Sequence, residues 1–313
     1  MMQESLIGDR YQLTAPIARG AMSAVYSAHD RVLDREVAIK FLIGDGSGDA
    51  SDRAEREMRL GASVDHPGLV EMLDAGYAAW RGSRIRFLVL ERLNAPSLQQ
   101  LLQTAPPSAA LIAEIGEQVA DALACLHQRG VLHLDVKPAN IMVERVPTLR
   151  YSRRVRLIDF GLAERIDGIP HRPTPTAIAT AGYLSPEHVA GIPLTGASDV
   201  YSLGLVLLRC LTGHDEYEGT AADAALARLS RDPRIPLDVP EGFASILSAM
   251  TDRTPESRPQ AEDVADAFSV LRPVESRARV DVRRAPSSPM TRLRSLMHGT
   301  RSAGARSSLP IAV

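Results

Sequence analysis

The chain has 313 residues, is 45% hydrophobic and 24% charged, and carries a formal net charge of -2. Those values exclude a collagen, a mostly disordered chain and a small disulfide-stapled module, and fit a cytosolic globular chain of one large domain or two lobes. Cys125 and Cys210 stand far apart, with no CxxC and no Cys/His cluster, which argues against a disulfide framework or a zinc site. The longest apolar run, 203–211, is broken by Arg209, so no segment is expected to span a bilayer. Residues 1–10 lack the apolar stretch of a secretory leader.

In chain order, predicted strands occupy residues 11–17, 24–28, 36–41, 70–73 and 86–90, with turns at Gly20 and at Leu33-Asp34. A charged helical segment, 51–64, separates the third strand from the fourth. A link at 91–95 follows the last strand, and helices then dominate. Leu111, Ile115, Val119, Ala122, Leu123 and Leu126 share one face of a helix that Gly130 can end. Residues 200–211 are apolar nearly all round, which predicts a buried helix ended by Gly213. The pattern is α+β without internal repeats: a small β-rich lobe with one helix, the short link, and a larger, mainly helical lobe. In residues 273–313, eight arginines against Glu275 and Asp281 give +6, which leaves -8 on the rest. This Ser-, Pro- and Gly-rich stretch reads as a disordered basic tail, solvated in the simplest case, with contact to anionic lipid, nucleic acid or the acidic body of the chain left open.

Three motifs carry chemistry: Val37-Ala38-Ile39-Lys40, then His133-Leu134-Asp135-Val136-Lys137-Pro138-Ala139-Asn140, then Asp159-Phe160-Gly161, 19 residues after Asn140. Each alone is weak, since a strand may end in a charge and Asp-Phe-Gly is a common turn tripeptide. Their joint order is specific. The chain resembles the protein kinases over residues 8–272, in particular the eukaryotic-like Ser/Thr kinases of bacteria, which implies a two-lobed kinase fold with an antiparallel N-lobe sheet. Only two residues of the chain are lysines, Lys40 and Lys137, and both fall in these motifs, where a compact ammonium would meet phosphate.

By that resemblance Lys40 reaches the α- and β-phosphates of ATP, held by an ion pair to Glu57, with Glu55 the weaker candidate. Asp135 accepts or orients the proton of the acceptor hydroxyl, Lys137 neutralises the moving phosphoryl group, and Asn140 and Asp159 hold magnesium, with manganese as the alternative. Ile17, Ala18 and Gly20 belong to the phosphate-covering loop. Val25, Ala38 and Met142 enclose adenine, Leu90 is the gatekeeper, and Glu91 and Leu93 offer backbone groups to the adenine edge. Thr180 contacts the catalytic loop, and with the Asp-x-Lys spacing it resembles the Ser/Thr branch. Glu187, in Ser185-Pro186-Glu187, is expected to pair with Arg258, and Asp199 to hold the catalytic loop by its amides.

Two departures stand out. Of the family's three loop glycines only Gly20 is present, with Ala18 and Ser23 at the other positions. Leu134 stands where most of the family has the Arg that pairs with an activation-segment phosphate, so activity is expected not to depend on phosphorylation at Thr174 or Thr176 through that contact. The long interval before Asp159 predicts an extended hairpin bearing Arg150, Arg153 and Arg154, read as a solvated tip. The function that follows is an ATP- and magnesium-dependent, non-specific serine/threonine protein kinase of the cytoplasm that also autophosphorylates. Its partners are protein substrates; a homodimer through the N-lobe stays open, and no specific nucleic acid is expected. The alternatives are a nucleotide-binding scaffold of the pseudokinase type and a kinase for a small hydroxyl or amino compound.

Overall fold

The structure, a computed structural model, describes residues 6–20, 23–42, 64–80, 83–145, 151–159, 164–165 and 181–272. The chain divides into two compact units, Met1–Pro273 and Val274–Val313, of which the second lies outside the described residues. Glu55, Glu57, Phe160, Gly161, Thr174, Thr176 and Thr180 also lie outside them, as does Arg150.

The N-terminal part is an antiparallel sheet ordered β1-β2-β3-β4-β6-β5, built from β1 (Leu6–Ile7), β2 (Tyr11–Arg19), β3 (Ser23–Asp30), β4 (Arg35–Leu42), β5 (Met72–Trp80) and β6 (Ser83–Glu91). Side chains alternate along a strand, so β4 sorts its residues between two faces. Val37, Ile39 and Phe41 enter a core with Ile7, Tyr11, Leu13, Ala28, Phe87 and Val89. Ala38 and Lys40 therefore face the other way. The predicted strand at 70–73 overlaps β5 only at Met72 and Leu73. Val70 instead donates its amide to the Leu157 carbonyl at 3.1 Å, across the start of the C-lobe. The remainder of β5 is rich in small residues that gave no strand signal, and Gly76 has a packing reason to be one of them. A Cβ there would lie 2.9 Å from the Phe87 ring.

The C-terminal part contains helices α1 (Leu98–Leu102), α2 (Ala109–Gln128), α3 (Pro186–Ala190), α4 (Gly196–Thr212), α5 (Ala221–Ser230), α6 (Glu241–Met250) and α7 (Ala261–Leu271). The Ser108 hydroxyl caps α2 by accepting from the Leu111 amide, and Gly130 follows its end at φ +69°. The apolar stripe expected on α2 is buried: Ile115, Val119, Leu123 and Leu126 join Leu203 and Leu207 of α4 and Phe268 of α7 in one core. The helix predicted from 200 begins four residues earlier, behind the Thr195 cap, and this places Asp199 in its first turn. β8 (Ile141–Glu144) pairs with β9 (Arg154–Leu157) as the expected hairpin, whose tip at 146–150 is outside the described residues. Arg154 lies 4.0 Å from Glu144, and Glu114 of α2 accepts the amides of Ser152 and Arg153 at 3.1 Å. β7 (Val131–Leu132) pairs with β10 (Glu164–Arg165). Among the described residues, no helix is long and apolar enough to cross a membrane.

Candidate active site

The loop between β7 and β8 is held from below by α4. Asp199, fully buried, accepts the amide of His133 at 2.8 Å and that of Leu134 at 2.7 Å. His127, at the end of α2, meets the same carboxylate at 2.9 Å. Burial alone would raise the Asp199 carboxyl, but His127 and the loop amides outweigh it and hold its pKa below the ordinary value. The two amides fix Leu134 at φ +61°, a region that costs a non-glycine residue about 1–2 kcal/mol. The twist turns Asp135 outward while the leucine side chain stays buried. His133 is fully buried, and desolvation lowers its pKa, so the ring is neutral near pH 7.

Asp135 sits among groups that orient it. Lys137 Nζ donates to Asp135 Oδ2 at 2.8 Å, and Asn140 Nδ2 donates to the same oxygen at 2.8 Å and to the Asp135 carbonyl at 3.0 Å. Burial raises the Asp135 pKa, Lys137 pulls against it, and the nearby Asp159 adds to the rise, leaving the carboxyl above its ordinary value. Because its donors engage Asp135, the Asn140 amide has its oxygen left to face a cation. The Asn140 carbonyl accepts the Ile158 amide at 2.9 Å, which brings the start of the Asp159 segment against the loop.

Register explains how the sheet meets this loop. Lys40 lies opposite Val25 on β3 and Leu88 on β6, and Ala38 lies opposite Leu90, so Val25, Ala38, Lys40 and Leu90 share the face turned from the N-lobe core. Ala18 pairs with Val25 and extends that face, while Ile17 is exposed and the Gly20 amide closes the turn on the Ser23 carbonyl at 2.8 Å. Lys40, nearly buried, donates to Asp159 Oδ1 at 2.6 Å. Asp159 is itself left-handed at φ +73°, a conformation that aspartate tolerates better than most residues. The structure thus brings Lys40 to Asp159, and Lys137 and Asn140 to Asp135. Glu57 and Thr180 fall outside the described residues.

At the link between the lobes, the Glu91 amide donates to the Glu71 carbonyl at 3.0 Å, and Arg92 Nη1 donates to the Leu93 carbonyl at 2.6 Å. The Glu91 carboxylate accepts the Glu71 amide at 2.9 Å and a hydrogen bond from Arg156 of β9. The half-buried Met142 bridges Ser97 at the start of α1. The link begins one residue later than predicted, because β6 includes Glu91.

Beyond the loop, Arg258 makes a two-pronged pair with Glu187 at 2.7 and 2.9 Å, both side chains almost completely buried. Ser198 of α4 adds a hydrogen bond to Glu187 at 2.6 Å. Three groups escaped the sequence reading: His127, Ser198, and the buried Arg228 with its tyrosines. Their partners lie 72, 11 and 46 residues away, without any short-range motif.

The fold and this constellation are those of a protein kinase. The protein kinase domain model matches residues 11–268, and the chain belongs to that family. It is 36% identical over 282 residues to the serine/threonine-protein kinase PknB of Mycobacterium tuberculosis, covering 86% of this chain and 44% of that protein. A probable serine/threonine-protein kinase of Corynebacterium efficiens is 35% identical over 290 residues, covering 87% of this chain and 43% of its own length. A probable PknB of Corynebacterium glutamicum is 33% identical over 310 residues, covering 92% and 46%. The chain thus spans less than half the length of these relatives. Protein kinases in general use ATP with a divalent cation to phosphorylate proteins.

Proposed function

We propose that residues 8–272 form a serine/threonine protein kinase domain, with lobes at 8–93 and 94–272, that transfers the γ-phosphoryl group of ATP to serine and threonine hydroxyls of proteins and of itself. The observation that carries this is the Asp135 site: a carboxylate with a raised pKa, held by Lys137 and Asn140 against a loop pinned by Asp199. Asp135 orients the acceptor hydroxyl and takes its proton as the oxygen bonds to the γ-phosphorus and the bond to the β-phosphate oxygen breaks. Lys137 balances charge on the moving phosphoryl group, and Lys40 on the α- and β-phosphates. Val25, Ala38 and Met142 enclose adenine beside Leu90. The Glu91 carbonyl and the Leu93 amide are assigned to its edge, because the Glu91 amide and the Leu93 carbonyl are already engaged. Ile17, Ala18 and Gly20 lie over the phosphates.

The oxygen donors of Asp159 and Asn140 suit a hard cation such as Mg2+, or Mn2+, and do not suit zinc. Such a cation would neutralise phosphate charge. Glu57 is the proposed partner of Lys40 once nucleotide draws it from Asp159, and Thr180 the proposed contact to the catalytic loop. We place the chain in the cytoplasm, where ATP is abundant, and the N-lobe is the proposed face for a homodimer.

The scaffold alternative has Leu134 and the reduced glycine loop in its favour, and the complete set of charged groups against it. Phosphoamino-acid analysis of a protein acceptor labelled from γ-labelled ATP tests the reading. Phosphoserine or phosphothreonine with wild type, and none with Lys40→Met or Asp159→Asn, is expected. Nucleotide binding without label in wild type would support the scaffold.

A further inference from the structure

Arg228, on α5, has no place in the chemistry described above, yet its side chain is fully buried. Long cationic side chains are rarely enclosed without a specific task. Its Nη2 donates to the Gly182 carbonyl at 2.8 Å. The guanidinium carbon lies 4.7 Å from the centre of the Tyr217 ring, and Arg231 lies over the same ring at 4.7 Å. The Tyr217 hydroxyl is 3.1 Å from that of Tyr201, itself fully buried on α4. A cation over an aromatic face and bonded to a carbonyl is held in one place, so the carbonyl is held as well.

Gly182 belongs to the short turn Ala181–Tyr183, which emerges beside α4 and α5. The next residue is fixed too, since the Tyr183 hydroxyl accepts from Arg209 at 2.5 Å and donates to Asp215 at 2.8 Å. α4 is common to everything involved. Its Asp199 sets the catalytic loop, its Ser198 sets Glu187, its Arg209 reaches this turn, and its Tyr201 meets the Tyr217 on which Arg228 lies. One rigid helix therefore fixes the 181–183 turn relative to Asp135. There is space at the turn: among the described residues, a Cβ added at Gly182 would meet nothing within 4 Å.

We infer that Arg228 is a positioning residue for the protein acceptor: by gripping the Gly182 carbonyl from behind, it shapes the surface on which the chain flanking the acceptor hydroxyl rests. The inference depends on the kinase reading. It assigns α5 a role in acceptor affinity and none in nucleotide binding or phosphoryl transfer.

The test measures phosphorylation of myelin basic protein by wild type, Arg228→Met, Arg228→Lys and Gly182→Leu, with separate KM values for acceptor and ATP. Arg228→Met removes the donor and keeps much of the volume; it should raise the acceptor KM about tenfold while kcat and the ATP KM stay within about twofold. Arg228→Lys retains a donor and should recover part of the loss. Gly182→Leu leaves Arg228 untouched, occupies that space, and should raise the acceptor KM as well, which keeps the inference testable if Arg228→Met does not fold. Unchanged acceptor KM in a folded Arg228→Met or in Gly182→Leu would overturn it, as would an equal rise in both KM values. Absence of transfer by wild type would instead remove the kinase reading.

Discussion

Replacing Arg258 by Met should destabilise the domain by about 3–5 kcal/mol, the usual cost of removing one partner of a buried ion pair. The structure supports that size. Arg258 gives Glu187 two hydrogen bonds at 2.7 and 2.9 Å, and it also donates to the carbonyls of Ala197 at 2.8 Å and Asp252 at 2.6 Å. Each hydrogen bond to a charged group contributes about 1.5–3 kcal/mol, so the two to the carboxylate alone account for the range. Methionine retains apolar contact with Tyr201, over which the guanidinium lies at 4.7 Å, and this limits the upper end. At about 2 °C per kcal/mol for a domain of this size, Tm should fall about 6–10 °C. The penalty should also depend on pH. Burial pushes the Glu187 carboxyl up, but Arg258 and Ser198 more than offset it, so in wild type its pKa lies below the ordinary value. Wild type therefore has this stabilisation fully above an unfolded-state pKa of about 4.3 and loses it as pH falls through the depressed value. In Arg258→Met burial acts with little opposition, the carboxyl titrates higher, and the penalty shrinks between pH 7 and about pH 4.5. Adding Glu187→Gln to Arg258→Met should restore about 2 kcal/mol by removing the unpaired charge. Urea unfolding of the three proteins at several pH values measures all of this. A penalty under about 1 kcal/mol, or one equal at both ends of the pH range, would refute the reasoning.

Burial raises the Asp135 carboxyl above its ordinary value and Lys137 restrains the rise, so Lys137→Met should shift the acid limb of kcat/KM to higher pH; an unmoved limb would mean that Asp135 is not the group reported there. Because Leu134 is buried and offers no cation to a phosphate, Thr174→Ala/Thr176→Ala should keep at least about half of wild-type kcat/KM. Loss of activity in that variant, with phosphorylation restoring it in wild type, would contradict the idea. Asp199→Asn should lower kcat far more than it raises the ATP KM, since it loosens the His133 and Leu134 amides and leaves Lys40 and Asp159 alone; steady-state kinetics in ATP decides.

The groups that the structure gathers, Lys40 on Asp159 and Lys137 and Asn140 on Asp135, were legible through the resemblance of their motifs to those of the protein kinases, whose chemistry constrains residue type, order and spacing together. β4 was legible as a strand over 36–41, and the Glu187 and Arg258 pair came from the same resemblance. His127 on Asp199, Glu114 on the 152–153 backbone and Arg228 on Gly182 were not legible. Each joins a polar side chain on a helix to a partner dozens of residues away, and amphipathic periodicity records only which face is apolar. β5 was misplaced because its alanines give no strand signal and Gly76 is set by the Phe87 ring opposite it, a constraint that lies in another strand. The left-handed Leu134 carries no local signal, because the contact of its amide with the Asp199 carboxylate comes from 65 residues away.

Single-turnover phosphoryl transfer from γ-labelled ATP, comparing wild type with Asp135→Asn at equal nucleotide occupancy, tests the central claim most directly. The account predicts label on serine or threonine of the acceptor with wild type, nucleotide affinity within about twofold in the variant, and transfer slowed about 100- to 10,000-fold. Equal transfer rates in the two proteins would contradict the assignment of Asp135 as the group that takes the acceptor proton.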